Sequence, residues 1–594
     1  MKFKRIFGIL STVLLTCFLA ACGNGEAPNP EPNPKPTDPN AIDKTVLVKK
    51  DLKLNLHSED YTIEDDTLTT YFYKNGNVPL IGIFELVSSL DGYFDSSVLK
   101  LDITGDDANF TWKDSGNYEY YFKVDAKNDT ITTNTESFFG FINSPEGIDY
   151  NRNSEFVGAV ASEEDDIVFD LKPYNFDAII YDDDLLLSYS VANSLVLTPN
   201  IANLYYNGKE FNLFTIYLDD IADFDTTRNP ELRGKNLADD ILEERNNGLY
   251  FILDHYYGLK EVKGIKSFKE FIENHDKLSG LFASPRYEFA EAAYKKLFVT
   301  VLDDPHSSVS YLPYYSKYDS FNPEKNNYMF TYDDIGPRYM KLMTTAERLE
   351  GDYKRALGKD KTKVRYDESG KTAFIKFDSF TVGRDEELFD ADGNVKEDAW
   401  KYDTFYFMKK SLDEVRAHKG VTDVVIDLTT NGGGTLASCI DALGFLTNDD
   451  VRLPSASTLS GVEIMESYRV DTDHDGSFDD DDAYTEFKFH VLTSSYTFSA
   501  ANYFTSVCKD MGIADVISQE NSGGGMCAVN QSALIDGTPV NYSSPFALQS
   551  AKKDANGKFV YSEIESGIAP DIICPIEKYY DLDYVAKLIA DSKK

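Results

Sequence analysis

Cysteine is scarce in this sequence, with six residues among 594. They are Cys17, Cys22, Cys439, Cys508, Cys527 and Cys574. No Cys-x-x-Cys pair occurs and the spacing fits no zinc-binding pattern, so the common zinc and dithiol redox motifs are excluded. Spacing alone does not pair the cysteines, and buried free thiols are the default expectation.

Positively charged residues are also few, with 59 Lys and Arg and 100 Asp and Glu, which gives a formal net charge of −41. This charge makes DNA, RNA and anionic lipid headgroups poor partners, whereas it favours solubility and divalent cations. By contrast, 42% of the residues are apolar and there are 39 Tyr and 39 Phe, which excludes disorder for most of the chain. The length leaves room for two or three domains with hydrophobic cores.

Apolar runs long enough to span a bilayer are absent, and the N-terminal run Ile6–Leu19 is itself short for that role. Basic residues precede this run and Ala20-Ala21-Cys22 follows it, so residues 1–21 are predicted to be a secretory signal peptide. The ending resembles a bacterial lipoprotein box, which predicts lipidation of Cys22 and a cell-surface location on the outer face of the cytoplasmic membrane. An ordinary signal peptide with an incidental cysteine is the alternative.

The composition then changes along the chain in four steps. Residues 22–42 hold the lipidated cysteine and a Pro-rich, Asn-rich linker, and 43–225 form a β-rich accessory domain. Residues 226–365 are a helical lead-in, and 366–594 alternate between strand and helix patterns. The predicted fold class is α/β with a mixed-sheet core, a helical lead-in and a separate β-rich N-terminal domain. That domain either contacts substrate or cell wall, or is purely structural.

A serine at the start of a predicted helix is the first candidate for chemistry. Val491 and Leu492 indicate a buried strand, a polar turn follows, and Ser499 precedes an apolar-periodic segment that runs to about Met511. Unpaired N–H groups and the positive dipole end at a helix N-terminus favour a developing anion, which suits a nucleophile that attacks a carbonyl. The alternative is that Ser499 is only a helix N-cap.

Four further segments accompany this serine in a fixed order. They are Leu302–His306, Asp427–Gly434, Glu520–Gly525 and Ile564–Asp571. Together with Phe498-Ser499-Ala500 they resemble the C-terminal-processing (tail-specific) serine protease family, which includes the tricorn protease core. The resemblance covers roughly residues 236–594 and implies a serine protease core acting on peptides or proteins.

The resemblance assigns roles to particular residues. Ser499 is the expected nucleophile, His306 the general base and Glu565 the acid that orients the imidazole. Glu563, two residues away, is the fallback for the acid. The resemblance places the oxyanion-hole N–H groups on two residues, Gly433 and Ala500. Gly523, Gly524 and Gly525 are expected beside the bound peptide.

Two departures from the family pattern are visible. Gly525 occupies the position where much of the family has a catalytic lysine, so the sequence resembles the tricorn-like branch with Ser, His and Glu. Pro305 precedes His306 where a serine is usual, which leaves the fourth member of the tetrad open between Ser307 and Ser494. The interval between His306 and Thr372 is short for the PDZ domain of many relatives, so that domain is expected to be absent.

An acidic segment outside these motifs matches a calcium-binding loop. The oxygen ligands at alternate positions and the Gly at position six fit the pattern of such loops. The predicted ligands are Asp471, Asp473, Asp475, Ser477, Asp479 and Asp482. A structural calcium ion is predicted, with no cofactor needed for catalysis; a solvated acidic turn is the alternative.

The sequence therefore predicts an exported, lipid-anchored serine endopeptidase with a peptide or protein substrate. The rival hypothesis is a catalytically inactive lipoprotein that uses a protease fold to bind peptides or glycans at the cell surface. A structural surface protein led by its β-rich domain is a third interpretation, but it leaves the ordered motifs unexplained.

Overall fold

The computed structural model describes residues 41–145, 148–162, 165–215, 224–318, 334–479 and 481–593. The predicted signal peptide, Cys22 and nearly all of the predicted linker lie outside the described residues. Within the described ranges, no helix is both long and apolar enough to cross a bilayer. Four cysteines fall in these ranges, and they are buried and unpaired: Cys439, Cys508, Cys527 and Cys574.

Short strands dominate the first part of the described chain, as the sequence predicts. They are β1 (Asp43–His57), β2 (Thr67–Lys74), β3 (Leu80–Gly82), β4 (Lys100–Thr104), β5 (Asp107–Lys113), β6 (Glu119–Asp125), β7 (Thr130–Thr133), β8 (Ser154–Ala161), β9 (Ile167–Asp170), β10 (Ile179–Tyr181), β11 (Asp184–Ser188), β12 (Asn203–Tyr206) and β13 (Phe211–Phe214). A seven-stranded sheet has the order β10-β11-β3-β2-β1-β13-β12, and a five-stranded sheet has the order β4-β5-β6-β7-β9. The β6–β7 pair confirms the hairpin that the turn residues Asp125–Asp129 predict.

The α-helices of the described residues lie mainly in the lead-in and in the C-terminal core. They are α1 (Ile83–Ser89), α2 (Tyr189–Ala192), α3 (Asp239–Tyr256), α4 (Phe268–Glu273), α5 (Ser279–Phe282), α6 (Tyr287–Lys295), α7 (Pro337–Leu357), α8 (Asp385–Leu388), α9 (Thr404–Ala417), α10 (Leu436–Gly444), α11 (Ala500–Asp510) and α12 (Leu582–Ser592). A π-helical segment, Lys296–Leu302, continues α6 and ends at Asp303, whose φ of 47° is left-handed. Residues Asp303–Pro305 connect the end of this π-helical segment to His306.

The C-terminal core is built on a largely parallel sheet. The second half of the chain contributes the strands β14 (Ser308–Val309), β15 (Arg365–Tyr366), β16 (Thr372–Lys376), β17 (Asp423–Asp427), β18 (Val451–Ser457), β19 (Glu463–Val470), β20 (Lys488–Leu492), β21 (Ala514–Ser518), β22 (Cys527–Ala533), β23 (Pro539–Lys553), β24 (Phe559–Glu563) and β25 (Ile572–Ile573). The six-stranded sheet has the order β15-β16-β17-β20-β21-β25, and its strands from β16 onward are parallel. Strand and helix alternate along this core, which confirms the predicted mixed α/β fold class.

A second sheet of the core has the order β14-β23-β18-β19-β8, with β22 and β24 also paired to β23. Its edge strand β8 comes from the N-terminal half of the chain and runs antiparallel to β19. The Phe156 ring packs on Tyr468 with centroids 5.5 Å apart. The β-rich N-terminal region therefore supplies one strand to the core, and Asp43–Lys594 form one compact unit.

The loops that the sequence singles out follow neighbouring strands of the parallel sheet. Strands β17, β20 and β21 are neighbours, so their carboxyl ends lie at one edge of the sheet. Each is followed by a segment that the sequence singles out, namely Asp427–Gly434, Thr493–Ser499 and Glu520–Gly525. Loops at the carboxyl ends of adjacent parallel strands are the usual place for a binding site.

Candidate active site

Backbone hydrogen bonds join these three loops into one assembly. The Phe498 N–H donates to Asn431 O at 3.2 Å, and the Ser499 N–H donates to Gly524 O at 2.9 Å. The Gly523 N–H donates to Thr497 O at 2.7 Å. The serine loop therefore lies between the two glycine-rich loops and is held by both.

Ser499 occupies the position before α11, with φ 55° and ψ −127°. A positive φ at a residue other than glycine is a strained backbone conformation, and such strain is common at functional sites. The half-buried Ser499 side chain makes no capping hydrogen bond to the helix. The N-cap alternative accordingly does not account for its hydroxyl, which stays available at the helix N-terminus.

The loop after β17 approaches Ser499 closely. A Cβ added at Gly433, whose φ is 111°, would lie 2.7 Å from Ser499 Cβ and 3.0 Å from the Ala500 nitrogen. Only glycine fits this position, because any side chain would overlap with the serine. The Gly433 N–H donates to Asn431 Oδ1 at 2.9 Å, whereas the Ala500 N–H belongs to the first turn of α11, where helical N–H groups lack intrahelical partners. Both predicted oxyanion donors thus lie next to the serine, and one is hydrogen-bonded within its own loop.

His306 lies against the residue that precedes the nucleophile candidate. Its ring packs on the Phe498 ring with centroids 4.5 Å apart. Its Nδ1 is buried without a hydrogen-bond partner, and no hydrogen bond joins the ring to Ser499 within the described ranges. Burial lowers the pKa of His306 to about 4; the nearby Arg338 cation also lowers it, and Asp304 opposes the shift. The imidazole is therefore neutral at ordinary pH, as a general base must be.

Glu565 binds the glycine loop after β21 through its carboxylate. Its Oε2 accepts the N–H groups of Gly525 at 3.2 Å and Met526 at 2.9 Å, and its Oε1 binds Arg338 Nη1. No hydrogen bond joins this carboxylate to His306 in the part of the chain that the structure describes. The fallback acid, Glu563, accepts the Glu565 N–H at 2.5 Å.

The predicted substrate-binding glycines pack between the acid and Phe498. The Gly523 O accepts Arg338 Nη2 at 3.2 Å, while Gly524 pairs with Phe498 in a short parallel bridge. A Cβ at Gly525, whose φ is 81°, would lie 2.6 Å from the Phe498 ring. The position where the family resemblance would lead one to expect a lysine therefore has no room for a longer side chain in this conformation.

The two serines considered for a tetrad already have other partners. Ser307 Oγ donates to Asp304 Oδ2 at 2.6 Å, and Ser494 Oγ donates to Thr429 O at 2.6 Å. Asp304, at 1% exposure, also accepts Ser543 Oγ at 2.8 Å and the His306 N–H at 3.1 Å. This buried aspartate holds the turn that carries His306.

The sequence did not single out Arg338, the second residue of α7. Its guanidinium lies over the Phe498 ring at 5.7 Å and binds Glu565 and Gly523. A lone arginine in an amphipathic helix has no local signature, because its partners lie far away in the chain. Only the tertiary structure reveals this contact.

The acidic segment after β19 forms a tight turn. Carboxylate oxygens of Asp471, Asp473 and Asp475 lie within 4.8 Å of one another. The other two predicted carboxylates lie outside this group of three. Asp482 accepts the N–H groups of Thr472 at 2.6 Å and Asp479 at 3.0 Å, and the Asp479 carboxylate accepts the Asp481 N–H at 2.9 Å. Three of the six predicted ligands therefore converge, while Asp482 bonds to the backbone of the loop.

Loops at one edge of the parallel sheet thus bring together a serine at a helix N-terminus, a histidine and a glycine loop, which are groups that serine hydrolases use. Residues 371–574 match the model of Peptidase family S41. This match confirms the resemblance to tail-specific proteases and supports a peptidase-type function for the core. Comparison with curated proteins gave no match.

Several solved structures are similar to this chain at low identity. The photosystem II D1 C-terminal processing protease is 17% identical, with 35% of this chain and 43% of that chain covered and a TM-score of 0.24. A candidate peptidase from Parabacteroides merdae is also 17% identical, with 59% and 96% covered and a TM-score of 0.37. Mature CPAF in complex with lactacystin is 16% identical, with 39% and 53% covered and a TM-score of 0.27. The chain thus spans less than half of the first of these proteins and about half of the third.

Proposed function

We propose that this protein is an exported, lipid-anchored serine endopeptidase that hydrolyses peptide bonds through Ser499, His306 and Glu565. The observation that carries the proposal is Ser499 itself, which is strained, uncapped and in contact with a glycine loop at a helix N-terminus. In the proposed reaction Ser499 Oγ attacks the peptide carbonyl and its proton passes to the imidazole of His306. The imidazolium then protonates the leaving amine, and water releases the acyl group by the same route.

The oxyanion of the tetrahedral intermediate needs donors beside Ser499. The Ala500 N–H supplies one at the positive end of α11. The second is the Gly433 N–H, which must exchange its bond to Asn431 Oδ1 for a bond to the oxyanion. For Glu565 to orient His306, its Oε1 must accept the unpartnered Nδ1–H of the imidazole beside Arg338 Nη1, because a carboxylate oxygen has lone pairs for two donors.

The test is labelling of the purified protein with a fluorophosphonate probe, followed by mapping of the modified peptide. We expect a single covalent adduct on Ser499, because only an activated serine reacts with such a probe at a useful rate. An adduct on another serine, or no adduct under conditions that label a known serine protease, would contradict the assignment. Fatty-acid labelling that depends on Cys22 tests the proposed anchor separately.

The second candidate function is peptide or glycan binding without hydrolysis. It is favoured by the Gly433 contact with Asn431, which must break for catalysis, and by the fact that no hydrogen bond among the described residues joins His306 to Ser499 or Glu565. A binding lipoprotein would retain a peptide intact on the sheet edge and would leave the fluorophosphonate unreacted.

We also propose that the loop Asp471–Asp482 binds a structural calcium ion. Desolvation raises the pKa of Asp473, and repulsion by the neighbouring carboxylates, including those of Asp475 and Asp471, raises it further. A divalent cation would relieve the repulsion and stabilise the folded state by mass action. The expected result is a thermal midpoint that is several degrees higher in millimolar calcium than in chelator.

The matched variants for this prediction are D473N/D475N in the loop and D390N/D392N in another acidic turn. The first pair is expected to abolish the calcium-dependent shift, and the second is expected to keep it. Asp390 makes an ordinary turn, in which its Oδ1 accepts the N–H groups of Asp392 and Asn394 at 2.9 Å each. Identical melting of the wild type with calcium and with chelator would exclude the ion.

A further inference from the structure

Arg338 contacts three parts of the candidate site. Its Nη1 binds Glu565 Oε1, its Nη2 donates to Gly523 O at 3.2 Å, and its guanidinium faces the Phe498 ring. The Arg338 side chain is 24% exposed and that of Glu565 is 7% exposed, so solvent screens this ion pair only partly. The arginine therefore ties together the acid, the predicted substrate loop and the residue before the nucleophile.

The backbone of the same residue is tied to the histidine segment. The Arg338 N–H donates to Asp303 Oδ2 at 2.8 Å, and the Tyr339 N–H donates to Asp303 Oδ1 at 2.9 Å. Asp303 caps the N-terminus of α7 in this way, three residues before His306. Any displacement of α7 would accordingly move the histidine and Arg338 together.

Guanidinium chemistry suits this position. A planar guanidinium presents several N–H donors in a fixed fork, so it can bind a carboxylate and a backbone carbonyl at once while it stacks on an aromatic ring. Lysine offers one point charge and cannot satisfy all three contacts. Loss of the arginine would leave the buried Glu565 carboxylate with only the N–H groups of Gly525 and Met526.

We propose that Arg338 is a positioning residue of the peptidase site, which holds the Glu565 carboxylate and the loop at Gly523 in place beside Phe498 and Ser499. This inference rests on the proposed function, and it adds a residue that belongs to none of the motifs. Arg338 acts through Glu565, Gly523 and Phe498 and takes no part in proton transfer. Its contribution is the placement of groups that do react, where a displacement of about 1 Å can cost on the order of 10²-fold in rate.

The experiment compares Arg338→Gln, Arg338→Lys and Lys341→Ala by kcat/KM for a peptide and by the rate of fluorophosphonate labelling. Lys341 is the matched control, because it lies on α7 one turn later and its ion pair with Glu520, at 2.7 Å, is exposed. We expect Arg338→Gln to lower both rates about 10²-fold, Arg338→Lys to recover part of the loss, and Lys341→Ala to change neither. Added guanidinium ion is expected to restore part of the activity of Arg338→Gln.

The pH profile gives a readout that a merely structural role would not move. The charged groups that act on His306 are Asp304 from its own segment and Arg338 from α7. In the wild type the acid limb of kcat/KM is expected near pH 4, because the imidazole cannot accept a proton below its pKa. Removal of the cation favours the imidazolium, so Arg338→Gln should move this limb to higher pH, whereas Arg338→Lys keeps the charge and should leave it in place.

Each result then has one meaning. Equal kcat/KM, labelling rate and acid limb in wild type and Arg338→Gln would overturn this inference alone, because the enzyme would still be active. A wild type that neither cleaves nor labels would overturn the proposed function and this inference with it. If Arg338→Gln fails to fold, Arg338→Lys decides: full wild-type rates in that variant exclude the positioning role, and a partial loss supports it.

Discussion

Alanine in place of Ser499 is expected to lower peptide hydrolysis by at least about 10⁴-fold and to abolish fluorophosphonate labelling. The reason is that the hydroxyl oxygen is the attacking atom, and the described residues of the sheet edge offer no other serine at the N-terminus of a long helix beside a glycine loop. The free energy of unfolding should be nearly unchanged, because a φ of 55° strains alanine as it strains serine and no capping hydrogen bond is lost. Steady-state kinetics with an internally quenched peptide measures the loss.

The matched control is Ser495→Ala in the same loop. Ser495 is 6% exposed and its Oγ lies 3.1 Å from Thr345 Oγ1, so its loss removes one partly buried hydrogen bond away from the helix N-terminus. Hydrolysis should stay within a small factor of wild type in this variant. Residual activity of Ser499→Ala near the level of Ser495→Ala would assign the nucleophile elsewhere.

Alanine in place of Gly433 is expected to lower kcat by about 10²- to 10³-fold, the usual effect of losing one oxyanion donor. The new methyl group would lie 2.7 Å from Ser499 Cβ, so either the serine or the loop must move. The φ of 111° adds backbone strain, which moves the Gly433 N–H further from the position where an oxyanion forms. Parallel measurement of kcat and of the melting temperature separates the catalytic effect from the effect on stability.

Gly461→Ala is the control for backbone strain alone. Gly461 has a φ of 77°, and a Cβ added there meets no atom within 4 Å. This variant should lose stability by about 1 kcal/mol and keep its kcat. Equal kcat values for the two alanine variants would show that the Gly433 loop has no part in catalysis.

Local sequence patterns predicted much of the architecture. The apolar-periodic segment that runs from Ser499 to about Met511 is the helix Ala500–Asp510. Alternating apolar and polar residues and turn chemistry act over a few residues, and these effects are readable in a chain of any fold.

Contacts between distant segments were the part that the sequence could not supply. The partners of Glu565 illustrate this, because Arg338 lies 227 positions away and belongs to a different element. The Ser543 hydroxyl that donates to Asp304 Oδ2 at 2.8 Å is another example, because 239 positions separate the two residues. Periodicity fixes which face of an element is buried, but it does not say which side chain meets which.

Strand β8 has a practical consequence for dissecting this molecule. A fragment that began at the lead-in helices would carry every motif residue, yet β19 would lose its antiparallel neighbour along Val470 to Ile464. The edge of β19 would then present unpaired backbone N–H and C=O groups to other molecules, and such exposed edges promote aggregation. Shortened versions of this protein should therefore begin upstream of Ser154, because hydrolytic competence and solubility would otherwise be confounded.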